Sequence, residues 1–225
     1  MSARPKSRAA RGKHHEPQLP TGKDMDGHPF GRLHYRRFEG DLFVKGRISA
    51  HHVGQGDLGD CFFLSSLAAL AQTHPTKIRD AITDNGDGTY SVTFHERTGG
   101  KAHAVPPIRV DTRFPVDIRG RQVFGKGLRG TPDRQELWPA LFEKAYAAWQ
   151  GGYVRIDQGG DGGVALTRLT GRPSKTMTPN RYSLDALWSK LEHAKAARAP
   201  MLTSTPFASE LRKLTGRDDL EGLIE

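Results

Sequence analysis

Large apolar side chains are almost absent from residues 1–29, and from residue 30 onward they recur with readable periods. The strongest pattern follows the glycine-rich run Gly54-Gln55-Gly56-Asp57-Leu58-Gly59. Leu64, Leu67, Ala68 and Ala71 fall at i, i+3, i+4 and i+7, which predicts a helix. Phe63 and Leu70 widen its apolar stripe, so the helix is expected to be buried almost all round. Asp60 is the natural N-cap, placing Cys61 in the first turn. A weaker helix is expected near Lys77–Ile82. Tyr90, Val92 and Phe94 alternate with polar residues as a strand does, after a turn at Asp84-Asn85-Gly86-Asp87-Gly88. That turn superficially resembles a calcium loop. However, Gly86 and Gly88 stand where oxygen ligands are required, and His95 occupies the twelfth position.

A strand or turn lead-in is expected at Asp41–Gly46, and further strands at Ile108 and Val110 and over Phe114-Pro115-Val116, with Gly120, Gly125, Gly127 and Gly130 marking a loop. Residues 135–149 predict a second helix, with Leu137, Leu141 and Ala145 on one edge and Trp138, Phe142 and Trp149 widening the face. Pro139 fits near its start, where no backbone N–H is needed, and Gly151-Gly152 ends it. Gln158–Gly163 reads as a flexible loop. Ser183 caps a third helix whose Leu184, Leu187, Trp188 and Leu191 share a face, and Met201–Thr205 reads as a buried strand. No internal repeat is present. The pattern is α+β: mainly helical, with a small hairpin or sheet.

Composition narrows the function classes. One cysteine in 225 residues excludes an intramolecular disulfide framework and a cysteine-based zinc cluster. No apolar run approaches the ~18–20 residues of a membrane span. The net charge of +9 is unevenly placed, because residues 1–37 hold nine Lys/Arg against three acids, or +6. Residues 1–37 therefore read as a basic, disordered arm, since such a stretch buries too little to offset the entropy of ordering. The arm suits a solvated tail, or a tether to an acidic partner, nucleic acid or anionic lipid. Its positive start lacks the apolar segment of a signal peptide. With a free thiol this fits a cytoplasmic protein, the alternative being a secreted effector with a non-standard signal.

A lone cysteine is more often an inert small hydrophobe than a nucleophile. Three local features favour chemistry at Cys61. A helix N-terminus favours a thiolate through its dipole and unpaired N–H groups. The preceding glycines allow close backbone approach to a substrate. Gln55, six residues upstream, could aim its amide at the same point and complete an oxyanion hole with the Cys61 N–H. Spacing alone does not separate this role from that of a polar turn residue.

Gln55-Gly-Asp-Leu-Gly-Asp-Cys61, followed by an apolar helix, resembles the active-site motif of the calpain family of cysteine proteases. Val110-Asp111 with Phe114-Pro115 is similar to a second family segment, and Glu136-Leu-Trp-Pro-Ala-Leu-Phe-Glu-Lys-Ala-Tyr146 is similar to a family helix. The resemblance covers roughly residues 40–205. It implies a papain-like fold, Cys61 as nucleophile, Gln55 as oxyanion-hole donor, and a Gly159-Gly160 loop that borders the cleft and pairs with substrate backbone. Beside the arm at 1–37 that composition marks, it implies domains at 38–200 (the Cys-bearing subdomain) and 201–225 (the start of a truncated, β-rich second subdomain).

The same resemblance implies a catalytic His and Asn. In papain-like folds they follow the Cys by about 130–150 residues. Only His74, His95, His103 and His193 follow Cys61, none in the family's Gly-His-[Ala/Ser]-Tyr context, and no Asn-Pro-Trp occurs. Animal calpains also hold calcium near the motif through an acid nine residues before the Cys and a Glu on the Trp-containing helix. Glu136 keeps the second, but His52 replaces the first and is a poor ligand for a hard cation, so no cofactor is expected. The expected function is that of a calpain-like cysteine endopeptidase acting on protein or peptide, incomplete for want of the His and Asn. The alternative is a non-catalytic remnant that binds peptide or protein.

Overall fold

The computed structural model of the chain describes residues 16–23, 29–128, 130–131 and 134–204. In chain order the elements are β1 His34–Arg37, β2 Glu39–Asp41, β3 Val53–Gly54, α1 Cys61–Thr73, α2 Pro75–Ala81 and β4 Ile82–Asp84. There follow β5 Thr89–Val92, β6 His95–Thr98, β7 Lys101–Ala104, β8 Ile108–Asp111, β9 Arg113–Val116, β10 Lys126–Gly127, β11 Gly130–Thr131 and β12 Arg134–Glu136. The chain continues with α3 Trp138–Gln150, α4 Tyr153–Ile156, α5 Gly162–Thr170 and α6 Leu184–Ala196. Helices thus alternate with small sheets, and no barrel forms among the described residues. No described helix is long and apolar enough to cross a membrane.

The largest sheets have three strands. β5 pairs antiparallel with β4 (Ile82 opposite Val92) and with β8 (Tyr90 opposite Val110). β12 pairs antiparallel with β11 and parallel with β2. The turn at Asp84–Gly88 is closed by its own side chains, as Asp84 Oδ1 accepts the Gly86 N–H at 2.8 Å and Asp87 Oδ1 the Thr89 N–H at 3.1 Å. Its oxygens serve the hairpin, as the alternation after it predicts.

α3 is buried continuously from Trp138 to Ala147. It packs on α1, α4 and β8. Tyr146 stacks on Phe63 of α1 with ring centroids 4.1 Å apart, and Trp149 stacks on Phe94 at 5.2 Å. Phe94 meets Phe142 and Tyr146 edge-on. Such pairs contribute about 0.5–1.5 kcal/mol each beyond the area they bury. Gly151 ends α3 at φ +96°, a left-handed conformation that suits glycine.

Lys144 is fully buried in the same helix. Its Nζ donates to Asp111 Oδ1 at 2.8 Å and to the Arg113 carbonyl at 2.6 Å, and lies 3.7 Å from Glu16 Oε1. Burial opposes the Asp111 charge, yet the hydrogen bond and charge of Lys144, joined by Arg113, hold its carboxyl down at about 2. Burial in turn lowers Lys144.

Several expectations are corrected. The span 1–37 does not lie wholly outside the fold, because His34–Arg37 is a strand paired with Arg113–Val116. The Tyr153 N–H reaches the Gln18 carbonyl at 3.1 Å, and Leu19, Phe30 and Leu33 pack against the core. The rest of the proposed arm, 1–15 and 24–28, lies outside the described residues. The second helix begins at Trp138 rather than 135, because Arg134–Glu136 is drawn into β12 by pairing with β2. The supposed loop at 158–163 gives way to α5 at Gly162, capped by Asp161 Oδ1 accepting the Val164 N–H at 2.8 Å. α6 forms with Ser183 as its cap, but Leu184, Trp188 and Leu191 are exposed. Residues 201–204 form no strand, and the remainder of the span 201–225 lies outside the described residues.

Replacing Lys144 by Met should leave the Asp111 carboxylate inside the protein without its main partner. Urea unfolding is expected to show a loss of about 3–5 kcal/mol. Because the folded Asp111 sits below its unfolded value, the wild-type pair contributes fully above about pH 4. That contribution fades as pH falls toward 2, a dependence Lys144→Met should lose.

Candidate active site

The turn before α1 is held from several directions. Gly56 lies so close to the chain at Val123–Phe124 that a Cβ there would be 2.0 Å from the Val123 carbonyl oxygen, so only glycine permits the approach. The next N–H, of Asp57, donates to that carbonyl at 2.7 Å. Leu58 is buried and anchors the turn in the core. The Gly59 N–H donates to Asp157 Oδ1 at 2.8 Å, a bond spanning 98 residues. The Asp60 carbonyl then accepts the Phe63 and Leu64 N–H groups at 2.8 and 3.2 Å, which starts α1.

This turn leaves Cys61 and Gln55 exposed. Gln55 Nε2 donates to the Leu58 carbonyl at 3.1 Å. A side-chain amide carries two N–H donors, so this bond orients the group while leaving a second N–H for another acceptor. Asp60 occupies the N-cap position as expected but makes no side-chain cap. Its carboxyl is instead buried and faces Glu143 of α3. Spacing within the motif held no sign of this, because the partner lies 83 residues away.

Gly159 and Gly160 come to the same end of α1. A Cβ on Gly160 would lie 2.7–2.9 Å from the Phe62 ring, so the loop rests on the residue that follows Cys61. Gly159 takes φ +74°, which suits glycine. The Ser66 hydroxyl ties the two helices: its Oγ lies 2.7 Å from the Phe62 carbonyl oxygen and 3.0 Å from that of Gly162. Structure therefore gathers Cys61, Gln55 and the Gly159–Gly160 loop around one helix start. Asp157, Glu143 and Gly125 support it, and none of the three was singled out by sequence reasoning as part of this site. A capping Asp161 followed by Ala165, Leu166 and Leu169 was the signal that could have revealed α5.

None of the four downstream histidines lies at the start of α1. His74 caps the far end of α1, 13 positions from Cys61 or about 20 Å along the helix axis. His95 and His103 lie on the β6–β7 hairpin, and His193 on α6. His52 is buried, with Nδ1 2.8 Å from Glu136 Oε2. The other Glu136 oxygen accepts the Val44 N–H at 3.0 Å. Burial raises the Glu136 carboxyl, against the pull of Val44 and His52. Among the described residues no group of three His, Cys, Asp or Glu side chains could hold a metal ion.

A methyl group at position 160 should displace the Phe62 ring. Gly160→Ala is expected to lose about 1–3 kcal/mol in urea unfolding. Unchanged stability would mean that the ring swings aside freely and that the loop does not rest on it.

Comparison with known proteins places these features in context. The sequence matches the calpain family cysteine protease over residues 32–223. It is 33% identical over 174 residues to the calpain-type cysteine protease DEK1 of Zea mays, covering 73% of this chain and 8% of that protein. It is 32% identical over 134 residues to calpain-9 of Rattus norvegicus, covering 59% of this chain and 18% of that protein. Against calpain-12 of Homo sapiens the identity is 31% over 156 residues, 68% of this chain and 20% of the relative. The chain thus spans a small part of the length of each relative it matches.

Proposed function

Because the chain belongs to the calpain family of cysteine proteases, we propose that it is the nucleophile-bearing part of a papain-like endopeptidase site, with Cys61 as nucleophile. One observation carries this reading: the family's cysteine sits exposed at the start of a buried helix, on a turn anchored by Asp157 and Leu58. The Cys61 thiolate attacks a peptide carbonyl carbon. The carbonyl oxygen, now negative, is held by the second Gln55 N–H and the Cys61 backbone N–H. Such donors act chiefly in the transition state, and losing one typically costs about 10²–10³-fold in rate. The tetrahedral intermediate collapses to a thioester and releases the amine, and water then frees the acid and regenerates the thiol. Gly159 and Gly160 offer backbone to the substrate chain beside Phe62.

Expulsion of an amine requires a proton donor, and none of the four downstream histidines is assigned that role. In this reading the His and Asn come from a segment outside this sequence or from another chain. An activated ester bypasses the need, because its leaving group departs unprotonated. With p-nitrophenyl acetate, the wild-type chain should release a burst of nitrophenolate stoichiometric with the thiol. Cys61→Ser should show none, and Gln55→Ala should slow the burst about 10²-fold or more. Equal bursts from wild type and Cys61→Ser would sink the proposal. Peptide binding without any burst would favour the non-catalytic peptide-binding reading. Steady cleavage of a peptide by wild type but not Cys61→Ser would show that a base is already present.

The residues present do not fit the calcium ion that the resemblance implies. Glu136 already spends one oxygen on the Val44 N–H and the other on His52, and imidazole is a poor ligand for calcium. The His52–Glu136 contact takes the place of an ion between the segment before Gln55 and the strand leading into α3. Added calcium should therefore leave both the thermal midpoint and the rate of Cys61 alkylation unchanged. A calcium-dependent rise in either would overturn this assignment.

A further inference from the structure

Two carboxylic acids lie buried against each other beneath Cys61. Asp60 and Glu143 are 0% and 1% exposed. Neither Asp60 oxygen has a hydrogen-bond partner, and the carboxyl it interacts with is that of Glu143. Two interacting carboxyls buried away from water avoid facing like charges only if one of them carries a proton. On the other side, Glu143 Oε1 accepts the Gly125 N–H at 2.8 Å. Gly125 is the residue that allows this, since a Cβ there would lie 2.6 Å from the same oxygen. Glu143 is thus fixed between a loop backbone and the residue preceding the nucleophile.

We propose that Asp60 and Glu143 hold one proton between them, and that this shared proton positions Cys61 by clamping the first residue of the α1 turn onto α3. The inference deepens the reading of Cys61 as the reactive group and rests on it. Both acids are positioning residues, since neither is placed against the substrate. With Gly59 held by Asp157 and Asp60 held by Glu143, two successive residues before Cys61 are gripped from α4 and α3. When the proton leaves, two buried carboxylates face each other, the clamp opens, and negative charge accumulates at the start of the helix that presents the thiol.

The surroundings set the direction. Burial pushes Asp60 up, to about 7, with Asp157 adding to the rise, and pushes Glu143 well above the usual range, with Asp60 adding to it. The other groups that sense the pair are Tyr146 of α3, Tyr153 of α4 and Tyr35 of β1, each also raised by burial. The folded chain therefore keeps a proton that the unfolded chain releases above about pH 4. Stability attributable to the pair falls as pH rises from there through about 7.

The chain has one cysteine, so alkylation by iodoacetamide reports on Cys61 alone. Measured against the rise that a single thiol ionisation would give, the wild-type rate should fall short about tenfold as the last shared proton leaves, the effect of one pKa unit of coupling. Glu143→Gln keeps an acceptor for Gly125 and a donor for Asp60 but cannot lose the proton. Its alkylation should lose the step that belongs to the shared proton, and the decline of its stability above pH 4 should shrink to the part that Asp60 alone contributes. In folded wild-type protein at neutral pH, infrared spectroscopy should show a protonated-carboxyl band that Glu143→Gln weakens. Absence of that band, or superimposable alkylation profiles, would overturn the proposal. If Glu143→Gln does not fold, the wild type decides alone, because the band and the alkylation rate must change at the same pH. Alkylation needs no acyl transfer. A missing ester burst with a coupled alkylation profile would therefore refute the protease reading and leave the carboxyl clamp standing.

Discussion

A helix buried on every side has to satisfy whatever charge it carries from within the protein, and α3 carries two adjacent ionisable residues. Glu143 and Lys144 are each almost fully buried and point to different neighbours. Lys144 reaches the sheet side, where Asp111, the Arg113 carbonyl and Glu16 receive it. Glu143 reaches the turn side, where it meets Gly125 and Asp60. An isolated buried charge would cost several kcal/mol, so the positions of these partners are strongly constrained. The aromatic stack of Phe63, Phe94, Phe142, Tyr146 and Trp149 supplies the apolar part of the same packing. Polar and apolar demands of one helix thereby place the turn of Cys61 on one side and the β8–β9 strands on the other.

The elements legible in the sequence were those whose own periodicity suffices. α1, α3 and α6 announced themselves by spacing at 3.6 residues, and β5 by alternation after a turn rich in Asn, Asp and Gly. β1 and β12 were not legible, since four and three residues become strands only through partners in β9 and β2, far along the chain. α5 was missed because Gly162 and Gly163 argue against a helix locally. Close packing overrides that preference: a Cβ on Gly162 would lie 2.2 Å from Leu202, and one on Gly163 2.8 Å from the Ser174 hydroxyl. α6 shows that a regular apolar face need not be a buried one.

The candidate site divides in the same way. Gln55 and Cys61 belong to one short motif, so their proximity was readable, and the glycine loop followed from resemblance to a family. The supports were not readable, because Asp157 lies 98 residues from the Gly59 it holds and Glu143 lies 18 residues from Gly125. Nor could sequence tell that Asp60 turns inward instead of capping, a choice made by the acid waiting on α3. Short-range chemistry is written in the motif, while the rigidity that makes it usable comes from contacts that exist only after folding.

The burial of Lys144 has a practical corollary. Its ammonium is sealed from solvent and engaged by three oxygen acceptors, whereas residues such as Lys101 stand in the open. An amine-reactive label mapped by mass spectrometry should mark the surface lysines of the native chain while sparing position 144. The appearance of label there would count molecules in which α3 has come away from β8, giving the protein an internal gauge of its own folded fraction.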